Sequence, residues 1–376
     1  MALIDGDHTP DVVRAALAEL PYQFIGVILV GGSEKLRPGE LFGLPFLEGF
    51  GEAEIVVDLA DDPALSPAGR FAWASRALAA GLAYLGADFR FDPPAFAAFD
   101  APSIAVIGTG KRVGKTALSV HLARLLAAEH EVVVVCMGRG GPPEPELLGA
   151  PPALAELVAR SRAGMHAASD YLEIALLAGV PTIGCRRAGG GLAGGVFVSN
   201  VDAGARLALA RGPDVVVFDA SGAAIPPIAV DRRVLVVGPG HDFGSYLNDY
   251  RRMISDLVVS IGCELEGAIP AALRLAPLAP LPGRVAVFSA GPADVSHLEA
   301  DVVHVSTKLG DRAALLRELR GLRADTYLSE LKGAAIDVVA EDALQRGCAF
   351  VVAGNDVVSA GLDEALLALV PETARL

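Results

Sequence analysis

The 376-residue chain is short of lysine, cysteine and tryptophan, and it has no long uncharged apolar run. Each shortage excludes something. The four cysteines, Cys136, Cys185, Cys263 and Cys348, never form a C-x-x-C pair, so neither a disulfide framework nor a cysteine-rich zinc site is expected. They read as small buried hydrophobes of a reducing compartment. No charge-free stretch reaches about 18 residues, which argues against a membrane-spanning helix, although the mean hydropathy is +0.46. The first residues, Met1-Ala2-Leu3-Ile4 followed by Asp5-Gly6-Asp7-His8, lack the basic-then-apolar order of an export signal, so a cytoplasmic protein is expected. A net charge of −14 speaks against nucleic acid as a partner. It also requires any site for an anionic substrate to be locally basic within an acidic protein. Lysine occurs only at 35, 111, 115, 308 and 332, and two of the five fall in one glycine-rich segment.

What is present is apolar and alternating. Hydrophobic residues make up 52% and charged residues 20%, the balance of a folded protein rather than a disordered one. Strand-like runs are expected at 24–30, 54–58, 103–107, 131–136, 215–218, 234–237, 257–261, 284–288 and 349–353. Helices are expected at 67–86, 115–128, 311–322 and 334–346. The stretch 268–284, rich in Pro, Ala and Leu, reads as a linker. Alternation of this kind predicts an α/β fold with a mostly parallel sheet covered by helices. Three domains are expected: an N-terminal α/β domain over 1–100, a central nucleotide-binding domain over 101–267, and a smaller C-terminal α/β domain over 284–376.

The strand 104–107 leads into Gly108-Thr109-Gly110-Lys111-Arg112-Val113-Gly114-Lys115-Thr116, and a helix follows. Glycines let backbone amides converge on phosphate oxygens without a Cβ in the way, and the helix start adds positive potential. Such a P-loop binds ATP through Gly108 to Thr116. Lys115 reaches the β- and γ-phosphates, and the Thr116 hydroxyl completes a Mg²⁺ site. The spacing is a variant, because the residue five before Gly114 is Thr109 and the glycine is one place earlier, at Gly108. A buried run, Asp214 to Phe218, then ends in Asp219-Ala220-Ser221-Gly222. An acid there lies on the ligand edge of a parallel sheet, so Asp219 is the candidate to hold the metal directly or through water.

Two arginine–glycine clusters suit a polyphosphate: Met137-Gly138-Arg139-Gly140-Gly141-Pro142, and Cys185-Arg186-Arg187-Ala188 before Gly189-Gly190-Gly191. Ser169-Asp170-Tyr171-Leu172-Glu173 reads as a helix-initiating capping box. Asp5, Asp7 and His8 follow the first strand and are candidates to touch substrate or metal. Asn355-Asp356 and Lys332 are weaker candidates of the same kind.

The loop Gly108-Thr109 to Val113-Gly114-Lys115-Thr116 resembles that of dethiobiotin synthetase and the cobyrinic-acid amidating enzymes. The whole chain resembles the cyclic 2,3-diphosphoglycerate synthetase family, through an ordered series of segments. These are Leu3–His8, Val30–Leu36, Gly108–Thr116, Arg139–Pro142, Ser169–Tyr171, Gly189–Gly194, Asp219–Gly222 and Glu330–Asp337. One departure is Asp219, where the resemblance leads one to expect a glutamate. The resemblance implies an ATP-dependent ligase. ATP and 2,3-diphosphoglycerate would give ADP, phosphate and a cyclic product with an internal phosphoanhydride. It implies catalytic roles for Lys115, Lys111 and Asp219, and substrate contacts from Arg139, Arg186, Arg187, Asp5, His8 and Lys332. Thr116 and Asp219 would hold Mg²⁺. A homodimer is implied, and a role for K⁺ is left open.

Two other readings stay open on the residues alone. One is another ATP-dependent ligase or kinase of dethiobiotin-synthetase type with a different acceptor. The other is a nucleotide-dependent dimerising switch. The switch proteins carry a lysine five residues before the Gly-Lys-Thr lysine, a position held here by Gly110, and the end Pro371–Leu376 offers no basic amphipathic helix.

Overall fold

The computed structural model describes residues 1–32, 42–371 and 374. The Ser33–Leu36 part of the Val30–Leu36 match, Lys35 within it, and Glu372, Thr373, Arg375 and Leu376 lie outside the described residues. The chain forms two compact units. One comprises Met1–Ala95 with Leu192–Gly194 and Gly240–Ser255; the other comprises Phe96–Gly191, Gly195–Pro239 and Asp256–Leu376.

In the first unit, strands Ala2–Ile4, Val27–Leu29, Ile55–Asp58 and Ala83–Leu85 run parallel, and Arg90–Phe91 pairs antiparallel at one edge. The helix Pro67–Ala79 starts at Ser66, whose hydroxyl accepts from the Gly69 amide, with proline at the first helical position, where its missing N–H costs nothing. The sequence suggested helix to residue 86. It ends instead at Ala80, where the amide folds back onto the carbonyls of Arg76 and Ala77 and Gly81 takes φ 80°, and the next residues form a buried strand.

The second unit is built on one continuous sheet. From strand Thr182–Ala188 it runs through Val132–Gly138, Val215–Asp219, Ser103–Gly108, Arg232–Val237, Leu257–Ile261 and Ile269–Pro277, all parallel. Direction then reverses: Ala272–Pro277 pairs antiparallel with the far part of Ala349–Val358, and Thr326–Glu330, Arg284–Phe288 and Asp301–Ser306 follow in parallel. The stretch expected to be a linker therefore contains a nine-residue strand. Its two prolines sit at the second and last positions, where lost ladder donors matter least. The boundary expected between 267 and 284 falls inside this unit. One apolar core joins the two parts of the sheet: Leu118 and Leu122 of the helix Lys115–Leu126 share it with Leu331, Ile336, Val357, Leu362 and Leu366.

The parallel strands are runs such as Val132-Val-Val-Val135, buried on both faces because helices cover both sides, which is why they lack polar alternation. Among the described residues no helix is long and apolar enough to cross a membrane.

Candidate active site

The strand Ser103–Gly108 is buried throughout and empties at the carboxyl edge of the sheet, where ligands of open α/β sheets collect. A Cβ on Gly108 would stand 2.8 Å from Lys115 Cδ and 2.9 Å from Val113 Cγ2, so only glycine lets the lysine stem fold back over the strand end. Gly114 caps the helix Lys115–Leu126 with φ 99°, a left-handed conformation, and a side chain there would strike Ile261. Arg112 is also left-handed, at φ 59°; a non-glycine residue held so costs about 1–3 kcal/mol and clusters at functional sites. No acidic side chain occupies the first turn of this helix, which leaves its positive end open to an anion.

Lys115 is buried, and its ammonium donates to the Gly110 carbonyl at 2.6 Å. With three N–H groups and that one hydrogen bond among the described residues, it keeps donors for phosphate oxygens. The cradle therefore fits a nucleotide triphosphate. Burial pulls the ammonium down to about 8, opposed by the charges of Asp219 and Asp170.

Asp219 ends its strand 1% exposed, with Ser119 Oγ donating to Oδ1 at 2.7 Å and Cys136 Sγ to Oδ2 at 3.3 Å. Burial, reinforced by the charge of Asp170, pushes its carboxyl up to about 6. Thr116 is one helical turn before Ser119, on the same face. Among the described residues no group of three His, Cys, Asp or Glu side chains could hold a metal by itself. The residues would fit Mg²⁺ only in the way P-loops do, where phosphate oxygens supply much of the shell; Asp219, bonded at both oxygens, would then act on the ion from outside that shell.

The arginines separate. Arg186 and Arg187 are consecutive on strand Thr182–Ala188 and so point to opposite faces; they do not form one fork. Arg187 donates to the Ser221 carbonyl at 2.7 Å and to the Gly189 carbonyl. A Cβ on Gly222 would lie 3.2 Å from Arg187 Nη2 and 3.7 Å from Lys111 Cγ. Arg187, Lys111 and the turn after Asp219 therefore form one wall beside the loop. Arg186 is exposed, and its strand position pairs with Gly138, next to the exposed Arg139. Asn200 ties these last two segments together: it accepts from the Arg186 amide at 2.7 Å and donates to the Pro142 and Pro143 carbonyls at 3.2 and 3.0 Å.

Sequence reasoning passed over two acids. Ser169 caps the helix Asp170–Ala178 without a side-chain bond, and its buried hydroxyl has no partner among the described residues, so the expected capping box does not form. Glu173 turns instead toward Lys332, whose ammonium donates to Oε2 at 2.8 Å. Burial raises the Glu173 carboxyl to about 7, with Lys332 opposing. Burial acts to lower Lys332 and is outweighed by Glu173 and Asp170, so the lysine stays charged. Asp170, in the first turn of the same helix, acts electrostatically on Lys115, Asp219 and Lys332. Its signal in the sequence was only its place in the Ser169–Tyr171 match. Lys332 itself is carried to the loop by strand Thr326–Glu330, which ends two residues before it.

Asp5 and His8 lie in the first unit, at the carboxyl end of strand Ala2–Ile4. Asp5 is buried and accepts from the amides of Asp7 and Asp61 at 3.0 and 2.9 Å, and exposed His8 stands 3.9 Å from Asp61. Asp356 pairs with Arg124 at 3.6 Å, and Asn355 donates to Glu330 at 2.7 Å.

A glycine cradle at the carboxyl edge of a mostly parallel sheet, with a buried lysine opening the next helix, defines a P-loop nucleotide-binding α/β protein. Three family models match along the chain: the cyclic 2,3-diphosphoglycerate synthetase N-terminal domain at 50–92, its P-loop domain at 103–272, and its C-terminal domain at 289–356. A cyclic 2,3-diphosphoglycerate synthetase of Rubrobacter xylanophilus is 43% identical, covering 99% of this chain and 97% of that one. Those of Thermococcus gammatolerans and Methanothermobacter thermautotrophicus are 40% and 35% identical, each over 98% of this chain and 96% and 95% of theirs. The chain belongs to the cyclic 2,3-diphosphoglycerate synthetase family. Among solved structures, LpxK from Aquifex aeolicus in complex with ATP aligns over 74% of this chain and 91% of that one, at 15% identity and a TM-score of 0.45.

Proposed function

We propose that this chain is an ATP-dependent ligase that closes the internal phosphoanhydride of cyclic 2,3-diphosphoglycerate, releasing ADP and phosphate. The observation that carries the reading beyond family membership is the wall of Lys111 and Arg187 at Gly222, beside the buried Lys115. Closing a ring between two like-charged phosphates needs cations on both and a fixed pose. ATP supplies the phosphoryl group that activates one substrate phosphate; an oxygen of the other then attacks that phosphorus, and the transferred group leaves as inorganic phosphate.

Lys115 holds the transferring group, and Lys111 spans from it toward the substrate. Arg187 fixes the substrate phosphate nearest Ser221. Arg139 and Arg186, joined through Asn200, draw the substrate in from the rim, and Lys332, paired with Glu173, lines the far side. Thr116 and water-mediated Asp219 would hold Mg²⁺, which neutralises charge on the β- and γ-phosphates. Mg²⁺, and K⁺ as the monovalent ion, are the proposed cofactors, and leaving each out of the assay reads its need. Segments 1–100, 101–267 and 284–376 are the proposed functional parts. A cytoplasmic homodimer is the proposed form, read in vitro by sedimentation.

Phosphorus NMR of a reaction containing ATP, Mg²⁺ and 2,3-diphosphoglycerate tests the assignment. A new cyclic phosphoanhydride signal, appearing with ADP only when both substrates are present, is the expected result. ATP turnover indifferent to 2,3-diphosphoglycerate would overturn it.

A further inference from the structure

The two basic residues in the middle of the P-loop diverge. Lys111 goes to the turn after Asp219. Arg112, in its left-handed conformation, goes the other way: a Cβ on Gly310 would lie 3.3 Å from its Nη2. In the sheet, Val215–Asp219 flanks the loop strand on one side, and the strands that carry residues 284–358 lie beyond its other side. The loop thus has two walls, and the second is built from the turn 307–311.

That turn is shaped from its own ends. Buried Ser306 accepts from the Lys308 amide at 3.2 Å, the Asp311 amide donates to the Lys308 carbonyl at 2.8 Å, and Asp311 caps the helix Arg312–Gly321 by accepting from the Ala314 amide at 3.0 Å. It is also fixed to the Lys332 segment. The Ala334 amide donates to the Leu309 carbonyl at 3.0 Å, and Gly333, at φ 53°, packs so close that a Cβ would stand 2.2 Å from that oxygen. Lys332 is thereby bound through its neighbours to the turn that presents Lys308. The two lysines differ in one respect: Lys332 is neutralised by Glu173, whereas exposed Lys308 has no side-chain hydrogen bond or ion pair among the described residues. An unneutralised lysine in a chain of net charge −14, on a turn fastened to an ATP site, is a cation placed for an anionic ligand.

We propose that Lys308, on the turn that Arg112 touches, binds one of the two phosphates of the substrate, across the P-loop from Arg187. The inference rests on the substrate class of the proposed function and adds a residue and a second wall to it. Two phosphates held from opposite walls would be brought together over Lys115, the pose that ring closure needs.

Isothermal titration of 2,3-diphosphoglycerate and, separately, of a non-hydrolysable ATP analogue into the full chain tests this. Lys308→Ala should weaken 2,3-diphosphoglycerate binding by about tenfold or more, the loss of a charge-assisted contact, and leave the analogue unaffected. Lys308→Arg should restore most of the loss. Unchanged binding of 2,3-diphosphoglycerate, or equal losses for both ligands, would overturn the proposal. Wild-type protein that binds 2,3-diphosphoglycerate through Lys308 yet makes no cyclic product upholds Lys308 and sinks the proposed reaction. Wild-type protein that does not bind it overturns both.

Discussion

Lys332 and Glu173, 159 positions apart in sequence, meet at 2.8 Å beside the P-loop and fasten the C-terminal part of the second unit to the helix that carries Asp170. Removing one partner leaves the other charge without its mate. Lys332→Met should lower unfolding free energy by about 3 kcal/mol, the cost of stranding a buried carboxylate, as read by urea denaturation. Glu173→Gln added to it should return part of that loss. A double-mutant cycle with no coupling would mean the pair contributes nothing to the fold.

Asp219 stands at a cost to stability. Its carboxyl is raised to about 6, so the folded chain binds that proton more tightly than the unfolded chain does. The stability this confers is full at low pH and is lost as pH rises through 6. Asp219→Asn should therefore stabilise the protein by about 2 kcal/mol near pH 8 and by almost nothing near pH 4. ATP turnover should fall by at least about 100-fold. Chemical denaturation at the two pH values, beside an ADP-release assay, separates these effects.

Lys115 titrates in the reverse sense. Burial lowers its ammonium to about 8, and an arriving triphosphate favours the charged form. ATP-analogue binding above pH 8 should take up a proton, and affinity should fall as pH rises further. Calorimetry in two buffers of different ionisation enthalpy measures that uptake directly. Lys115→Met should abolish both the uptake and measurable binding.

Asn200 holds the Pro142-Pro143 turn against the strand of Arg186 through three hydrogen bonds. Asn200→Ala should raise KM for 2,3-diphosphoglycerate by roughly 5–20-fold, as two or three neutral hydrogen bonds at about 1 kcal/mol each would give after partial relaxation. The KM for ATP should stay near its wild-type value. Steady-state kinetics with each substrate varied in turn is the check.

The P-loop was legible because its signal is local: an apolar strand, a glycine turn and Gly114-Lys115-Thr116 at a helix start lie within one short window. Strands such as Val132–Gly138 were legible for the same reason, as unbroken apolar runs. The strand Ile269–Pro277 was not. Its place depends on partners at 259–261 and 353–358, which no local window contains. Asp170 and Glu173 stayed hidden because an acid in a first helical turn looks alike whether it caps the helix or faces a lysine from 159 positions away. That Arg186 and Arg187 point to opposite faces was also hidden, because it follows only once the strand is seen to run to Ala188.

Apart from the chain start and Lys35, the primary amines of this protein mark one place. Lys111 and Lys115 belong to the P-loop, and Lys308 and Lys332 to the turns joined beside it. Arginine carries the rest of the positive charge. Among the lysines of the described residues, an acylating reagent that ignores guanidinium groups would therefore report on the active site, reacting first at exposed Lys111 and Lys308, and bound nucleotide would shield the first of these. The chain carries its own footprinting probe, set in place by the scarcity of one residue type.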